Sequence, residues 1–306
     1  MPQTPRRAHS IAELQERLSS FFTEEGYASG LAFTPKPSDV LIATYPKCGT
    51  TWMQQIIHGL RTRGDMAFSE ITAAVPWLEA AHDMGIDPQA PQRADPRAYK
   101  THLTWHDIPK GGRYVHVIRN PDDALVSAYR FMEGWFFEPG AINLDTYAKK
   151  RFLVDGRRDD YWRFLLSWWP RRHEADVLFV FFEDMKHDLD RIIVEVAGFI
   201  GCPLDDELKD IVMRQSSIGF MKAHQHQFND HLLRTARDAA CGLPLDGAAT
   251  KVDGGRVGDS AQILSTAITD ALDARWRETV GRELGIESYA ALRARWHEEC
   301  ASSGPG

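Results

Sequence analysis

The chain of 306 residues is short of the features that mark a membrane span, a disulfide framework or a nucleic-acid binder. No segment approaches the ~18 consecutive apolar residues of a transmembrane helix. Its four cysteines, Cys48, Cys202, Cys241 and Cys300, are scattered, with no CxxC pair and no Cys/His zinc spacing. They read as reduced thiols of a cytoplasmic protein. Lys and Arg total 36 against 43 Asp and Glu, a net charge of -7. That balance excludes a broad basic field for nucleic acid but leaves room for a local pocket that takes a small anion. Arg6-Arg7 is followed by a polar amphipathic stretch, so neither an export signal nor a twin-arginine signal fits. No internal repeat is visible.

What is present is the composition of a globular domain, 43% hydrophobic and 26% charged. The pattern predicts one α/β domain over residues 1–306. Residues 1–37 read as a leader with a helix over Ile11–Phe22, ended by Pro35-Lys36-Pro37. Asp39–Tyr45 is a short apolar, β-branched run and reads as a buried strand. Helical spacing follows over Met53–Leu60. Ala98–His102, Arg113–Ile118 and Asp176–Phe182 read as further strands. Helices are predicted over Pro121–Phe131, with Asn120 as its cap, over Asp159–Arg172, and over Asp188–Ile200, which ends at Gly201. Strands alternating with helices imply a central, mostly parallel sheet covered on both faces. Residues 222–261 have little periodicity and read as a mobile cap near the site. Ala267–Leu284 and Tyr289–Cys300 read as closing helices.

Three segments carry chemistry. Pro46-Lys47-Cys48-Gly49-Thr50-Thr51-Trp52 lies between a strand and a helix. A helix start offers unpaired N–H groups and the positive end of the dipole, which suits a phosphate. Gly49 admits close backbone approach, Lys47 adds charge, and Thr50 and Thr51 add hydroxyl donors. GxxxxGK[ST] is absent, so this is not a Walker A loop. Arg119-Asn120-Pro121 ends a strand, the edge where open α/β sheets bind ligands, with Ser127 two turns into the next helix. Lys100-Thr101-His102 ends another strand, and beside a lysine in an anion pocket His102 reads as a general base. Taken singly, each segment also reads as ordinary structure: a strand-to-helix turn, a charged strand end, an exposed histidine.

Taken together they resemble the cytosolic-type sulfotransferases, which move a sulfuryl group from 3′-phosphoadenosine 5′-phosphosulfate (PAPS) to an acceptor hydroxyl or amine. Pro46–Trp52 is similar to the family's PKSGTTW loop, Lys100–His102 to its KTH, and Arg119–Ser127 to its RNPxDxxxS. Phe182–Lys186 resembles YEDMK, Ser216–Lys222 resembles TSFxxMK, and Gly255–Ser260 resembles GxxGDW. The six run in family order from about residue 39 to 265. The resemblance implies that Lys47, Cys48, Gly49, Thr50 and Thr51 hold the 5′-phosphosulfate. Trp52 would stack on adenine, near Phe182, Ser216 and Ile218. Arg119 and Ser127 would hold the 3′-phosphate, together with the Gly255-Arg256 element. His102 would be the base, with Lys47 and Lys100 steadying the sulfuryl and leaving oxygens. Trp77, Trp105, Trp135 and Phe136 would border a small, apolar or aromatic acceptor.

The expected reaction is an in-line displacement at sulfur, and because a sulfuryl group carries less charge than a phosphoryl group, side-chain cations are expected to serve without a metal. The charge balance and the lack of a long apolar run point to no nucleic-acid partner and no membrane span, and the family's dimer motif, incomplete at Ala261–Asp270, points to a monomer or weak homodimer. Departures are Cys48 for serine, Phe182 for tyrosine, Ile218 for phenylalanine, and Asp253-Gly254 where the family has Arg-Lys. Arg256 or Lys251 is the expected substitute for the lost cations. Cys48 reads as an inert serine replacement or as a thiol of lowered pKa at a helix start. Two other readings remain at this level: a non-catalytic nucleotide-binding or interaction protein on the same fold, and a P-loop-like kinase.

Overall fold

The computed structural model describes residues 5–157, 160–247, 251, 258 and 260–302. Four strands form one sheet: β1 (Val40–Thr44), β2 (Ala98–Thr101), β3 (Arg113–Ile118) and β4 (Val177–Phe181), in the order β2-β1-β3-β4. All pairs are parallel, with Ala43 opposite Thr101 on one side and His116 on the other. The chain therefore moves outward from β1 to β2, then crosses to β3 on the opposite flank. This reversal opens a crevice at the carboxyl ends of the strands, the usual binding edge of such sheets. The residues immediately after β1, β2, β3 and β4 are the predicted site segments, so the topology alone brings them to one edge.

Alternation along the strands splits the core between the two faces. Leu41, Ala43, Tyr99, Tyr114, Phe179 and Phe181 pack on one side with a large aromatic cluster. Val40, Ile42, Ala98, Val115, Val117 and Val180 pack on the other against Met53, Ile56, Ile57 and Leu60 of the helix after β1. Helix α3 (Thr50–Thr62) follows β1, and α4 (Pro121–Met132) follows β3, capped by the Asn120 side chain on the N–H of Asp122. Then come α5 (Tyr161–Trp168), α6 (Phe182–His187) and α7 (Leu189–Ile200), the last ended by left-handed Gly201.

Two regions differ from the sequence reading. The leader is a pair of helices, α1 (Ile11–Ser19) and α2 (Glu24–Leu31), and their junction carries Phe21 and Phe22 into the aromatic cluster. The helix starting at Ile11 stops before Phe22 because Thr23 caps a new start on the N–H of Gly26. The segment read as an aperiodic cap from residue 222 is helical in part: α8 (Asp206–Gln215) leads to α9 (Ile218–Ala223), and α10 (His231–Arg237) follows. Local capping by Ser217 and burial of Met221, Phe228 and Leu233 order what hydrophobic periodicity did not reveal. The closing helices are α11 (Thr266–Trp276) and α12 (Tyr289–Ser302).

Candidate active site

The crevice holds a cavity of about 560 Å³. It is lined by Lys47, Gly49, Thr50, Thr51, Trp52, Lys100, His102, Arg119, Ser127, Phe182, Ser216, Ile218, Trp77, Trp135 and Phe136. Cys48 is not in the wall. Its side chain is fully buried, and burial pushes the thiol well up, which favours the inert serine replacement over a thiol of lowered pKa. Trp105 is also absent from the wall; it packs on Tyr114 and Trp168 behind the site. Gly255 and Arg256, with Asp253 and Gly254, lie outside the described residues.

The turn after β1 is built for close approach. Lys47 (φ 70°) and Gly49 (φ 98°) are both left-handed, and Gly49 precedes α3 without a side-chain cap on that helix. A Cβ on Gly49 would come to 2.8 Å from the Phe182 ring, so glycine is required twice over. Successive backbone N–H groups in such a turn form an anion-binding concavity. The Thr44 and Thr50 hydroxyls hydrogen-bond each other across the turn. Lys47 Nζ stands 4.1 Å from the Phe131 ring centroid, inside a cluster of cations. Desolvation first, then Lys251, lowers its pKa to about 7. Lys100 Nζ lies 3.7 Å from the Trp77 centroid and is lowered to about 7 for the same two reasons.

His102 is held at both ends. Its backbone N–H donates to Glu79 Oε1 at 2.7 Å, and its Nδ1 lies 2.8 Å from the Thr44 carbonyl oxygen. A carbonyl only accepts, so Nδ1 carries the proton and Nε2 keeps its lone pair. Burial, aided by Lys100, holds the imidazole pKa down at about 3, so the ring is neutral across the physiological range. Glu79 is itself buried, which raises its carboxyl pKa. Sequence reasoning missed this positioning role, because nothing in Trp77-Leu78-Glu79 signals a partner 23 residues on.

Several described neighbours fix Arg119. Its carbonyl accepts from Tyr161 Oη at 2.6 Å, and its guanidinium stacks over Phe182 at 4.4 Å. Nη1 donates to the Lys47 carbonyl at 3.4 Å, and Nη2 lies 3.6 Å from Asp123. Asp123 also accepts from the backbone N–H of Gly258 and Ser260, which seats the chain after residue 257 on α4. Trp52 donates its indole N–H to the Ser216 carbonyl at 2.8 Å and meets Phe182 edge-on at 5.6 Å. These side chains form an aromatic slot at one end of the cavity. At the other end, Leu18, Phe21, Phe22 and Tyr27 of the N-terminal helices join Trp77, Trp135 and Phe136. Phe21 lies 5.4 Å from Phe136 and Phe22 5.3 Å from Trp77. Both N-terminal rings were absent from the sequence-derived list.

Among the described residues no group of three His, Cys, Asp or Glu could hold a metal ion, and no helix is long and apolar enough to cross a membrane.

Comparison with known proteins shows the fold and the family. Canine Sulfotransferase 1B1 is 31% identical over 218 residues, 67% of this chain and 73% of its own. Rat Sulfotransferase 1C2 is 29% identical over 275 residues, 85% of this chain and 88% of its own. In three dimensions the chain is similar to mouse sulfotransferase SULT7A1, solved with PAP, at TM-score 0.67 and 20% identity over 90% of this chain and 95% of that one. The family description "Sulfotransferase domain" matches residues 37–281, from the approach to β1 through α11, and the chain belongs to the sulfotransferase family.

Proposed function

We propose that this sulfotransferase binds PAPS with the turn from Pro46 to Trp52 and presents its sulfur to an acceptor hydroxyl activated by His102. The carrying observation is the imidazole: Nδ1 is committed to the Thr44 carbonyl at the end of the very strand that leads into the loop. Donor loop and base are thus one rigid unit. The cavity fits the donor's chemistry. Lys47, Lys100, Arg119 and Lys251 face it with the carboxylates of Asp230, Asp123 and the buried Glu79, and burial, then the charge of Lys251, holds Lys47 and Lys100 below their usual pKa. The Trp52–Phe182 slot suits a purine, and Arg119 with Ser127 suits the 3′-phosphate.

In the step, the acceptor oxygen forms a bond to sulfur while the bond from sulfur to the 5′-phosphate oxygen breaks, its electron pair staying on the phosphate. His102 Nε2 takes the acceptor proton. Lys47 and Lys100 offset charge on the sulfuryl and leaving oxygens, an electrostatic contribution of the kind that often dominates. The loose transition state known for phosphoryl transfer is the working analogy, with side-chain cations where kinases use magnesium. The acceptor is small and apolar or aromatic, because rings of Phe21, Phe22, Trp77, Trp135 and Phe136 wall the space beside His102. Labelled PAPS offered to a panel of phenols, aliphatic alcohols and amines tests this. Transfer to aromatic hydroxyls supports it. PAP binding without transfer to any acceptor would favour a non-catalytic nucleotide-binding protein, and transfer confined to sugars would overturn the acceptor class.

A further inference from the structure

Asp230 and Lys251 form an ion pair inside the site that the proposed chemistry leaves unused. Both side chains are almost wholly buried, at 2% and 7% exposure. Asp230 occupies the position before α10 where an aspartate ordinarily caps the helix, yet its side chain caps nothing. Its backbone is left-handed at φ 54°, an uncommon conformation for a residue other than glycine, and its carboxylate is turned into the cavity instead. Lys251 lines the same cavity as Lys47, Lys100 and His102, and its charge adds to the burial that lowers the pKa of all three.

Resting on the PAPS reading above, we propose that Lys251 is a third lysine of the transfer centre, held ready by Asp230, which serves as an internal anion until the donor's sulfonate takes its place. The charge balance supports an exchange of partners. The groups facing Lys251 are Lys47, Lys100, Arg119, His102 and Asp230, with Glu70 and Glu79 behind Lys100. With the donor absent, Asp230 is the carboxylate that offsets the crowded lysines, and they hold its pKa down. An arriving sulfonate and two phosphates bring like charge toward Asp230 and new partners to every lysine. Lys251 then leaves the carboxylate for the sulfuryl oxygens. There it steadies charge while sulfur passes from the phosphate oxygen to the acceptor oxygen. Asp230 keeps its proton balance unchanged, and His102 remains the base.

The test compares wild type, K251M, K251R, D230N and the double variant K251M/D230N, by saturated turnover with PAPS, PAP affinity and thermal midpoint. Loss of one preorganised charge at a reacting centre typically costs about 10²–10³-fold in kcat. K251M is expected to fall by that order while PAP, which lacks the sulfuryl group, binds within about tenfold of wild type; K251R recovers most of the rate. D230N is expected to bind PAP several-fold more tightly. The double variant, which removes both members of the pair, is expected to keep the low turnover of K251M. Near-normal turnover of K251M, or recovery of turnover in the double variant, would show a merely structural pair and overturn the inference. If wild type itself binds no PAP, the donor reading fails first and takes this inference with it.

Discussion

Donor affinity should fall steeply as pH rises above neutrality, and the direction follows from the two lysines at the phosphosulfate end. Lys47 and Lys100 are each lowered to about 7 by burial and by Lys251. In the free protein at pH 8, a group of that pKa is protonated in roughly one molecule in ten. An anionic ligand that needs both ammonium groups must bring them back into the charged form. Binding at pH 8 therefore takes up between one and two protons, and affinity falls by about tenfold per lysine from pH 8 to pH 9. The 3′- and 5′-phosphates of PAP, with second pKa near 6, are fully ionised in this range and contribute no slope. The sign differs for folding. Because the unfolded lysines titrate near the ordinary 10.5, the unfolded chain binds more protons between pH 7 and 10.5, and the ligand-free fold gains stability there as pH rises. Weaker binding thus cannot be read as unfolding. Calorimetric titration of PAP in buffers of different ionisation enthalpy reads affinity and proton uptake together. A dissociation constant flat from pH 7 to pH 9, with no proton uptake, would refute the placement of these lysines against the donor.

Other outcomes follow from the same geometry. His102→Ala should lose about 10²–10⁴-fold in turnover with PAP affinity retained, read by steady-state kinetics and calorimetry. Because the imidazole is held at about 3, wild-type turnover should show no acid limb from this ring until well below pH 5. Glu79→Gln keeps an oxygen that can accept the His102 N–H, so it should preserve activity, whereas Glu79→Ala should lower kcat with little change in PAP affinity. Gly49→Ala forces a left-handed alanine against Phe182, so PAP binding should drop by more than tenfold, at the scale of about 1–3 kcal/mol of backbone strain. Overnight dialysis against EDTA should leave sulfuryl transfer intact; its abolition, restored by magnesium, would contradict a mechanism carried by side-chain cations.

The sheet was legible because its strands are apolar, β-branched runs: β3 has the predicted bounds, β2 is one residue shorter at one end, and β1 and β4 are one residue shorter at each end. The Asn120 cap and the Gly201 stop were equally local signals. The site segments could be grouped because parallel strands deliver their carboxyl ends to one edge, whatever lies between them. What stayed hidden depends on distant partners. Phe21 and Phe22 line the cavity only because the junction of α1 and α2 packs against Trp77, Trp135 and Phe136, and their sequence context reads as a leader. Helix α10 carries little hydrophobic periodicity, and its anchor, Leu233, is a single buried residue. Asp230 has the sequence signature of an ordinary helix cap, and only the left-handed backbone reveals that its carboxylate serves the cavity. Trp105 shows the converse: adjacency in sequence to the histidine did not place it in the wall.

The most direct measurement is a crystal structure with PAP and an acceptor phenol bound. The account predicts the 5′-phosphate within hydrogen-bond distance, about 3.2 Å, of Lys47 and the amides at the start of α3, with the phenol oxygen at His102 Nε2. PAP seated away from residues 46–52, or a phenol oxygen with no approach to that nitrogen, would contradict it.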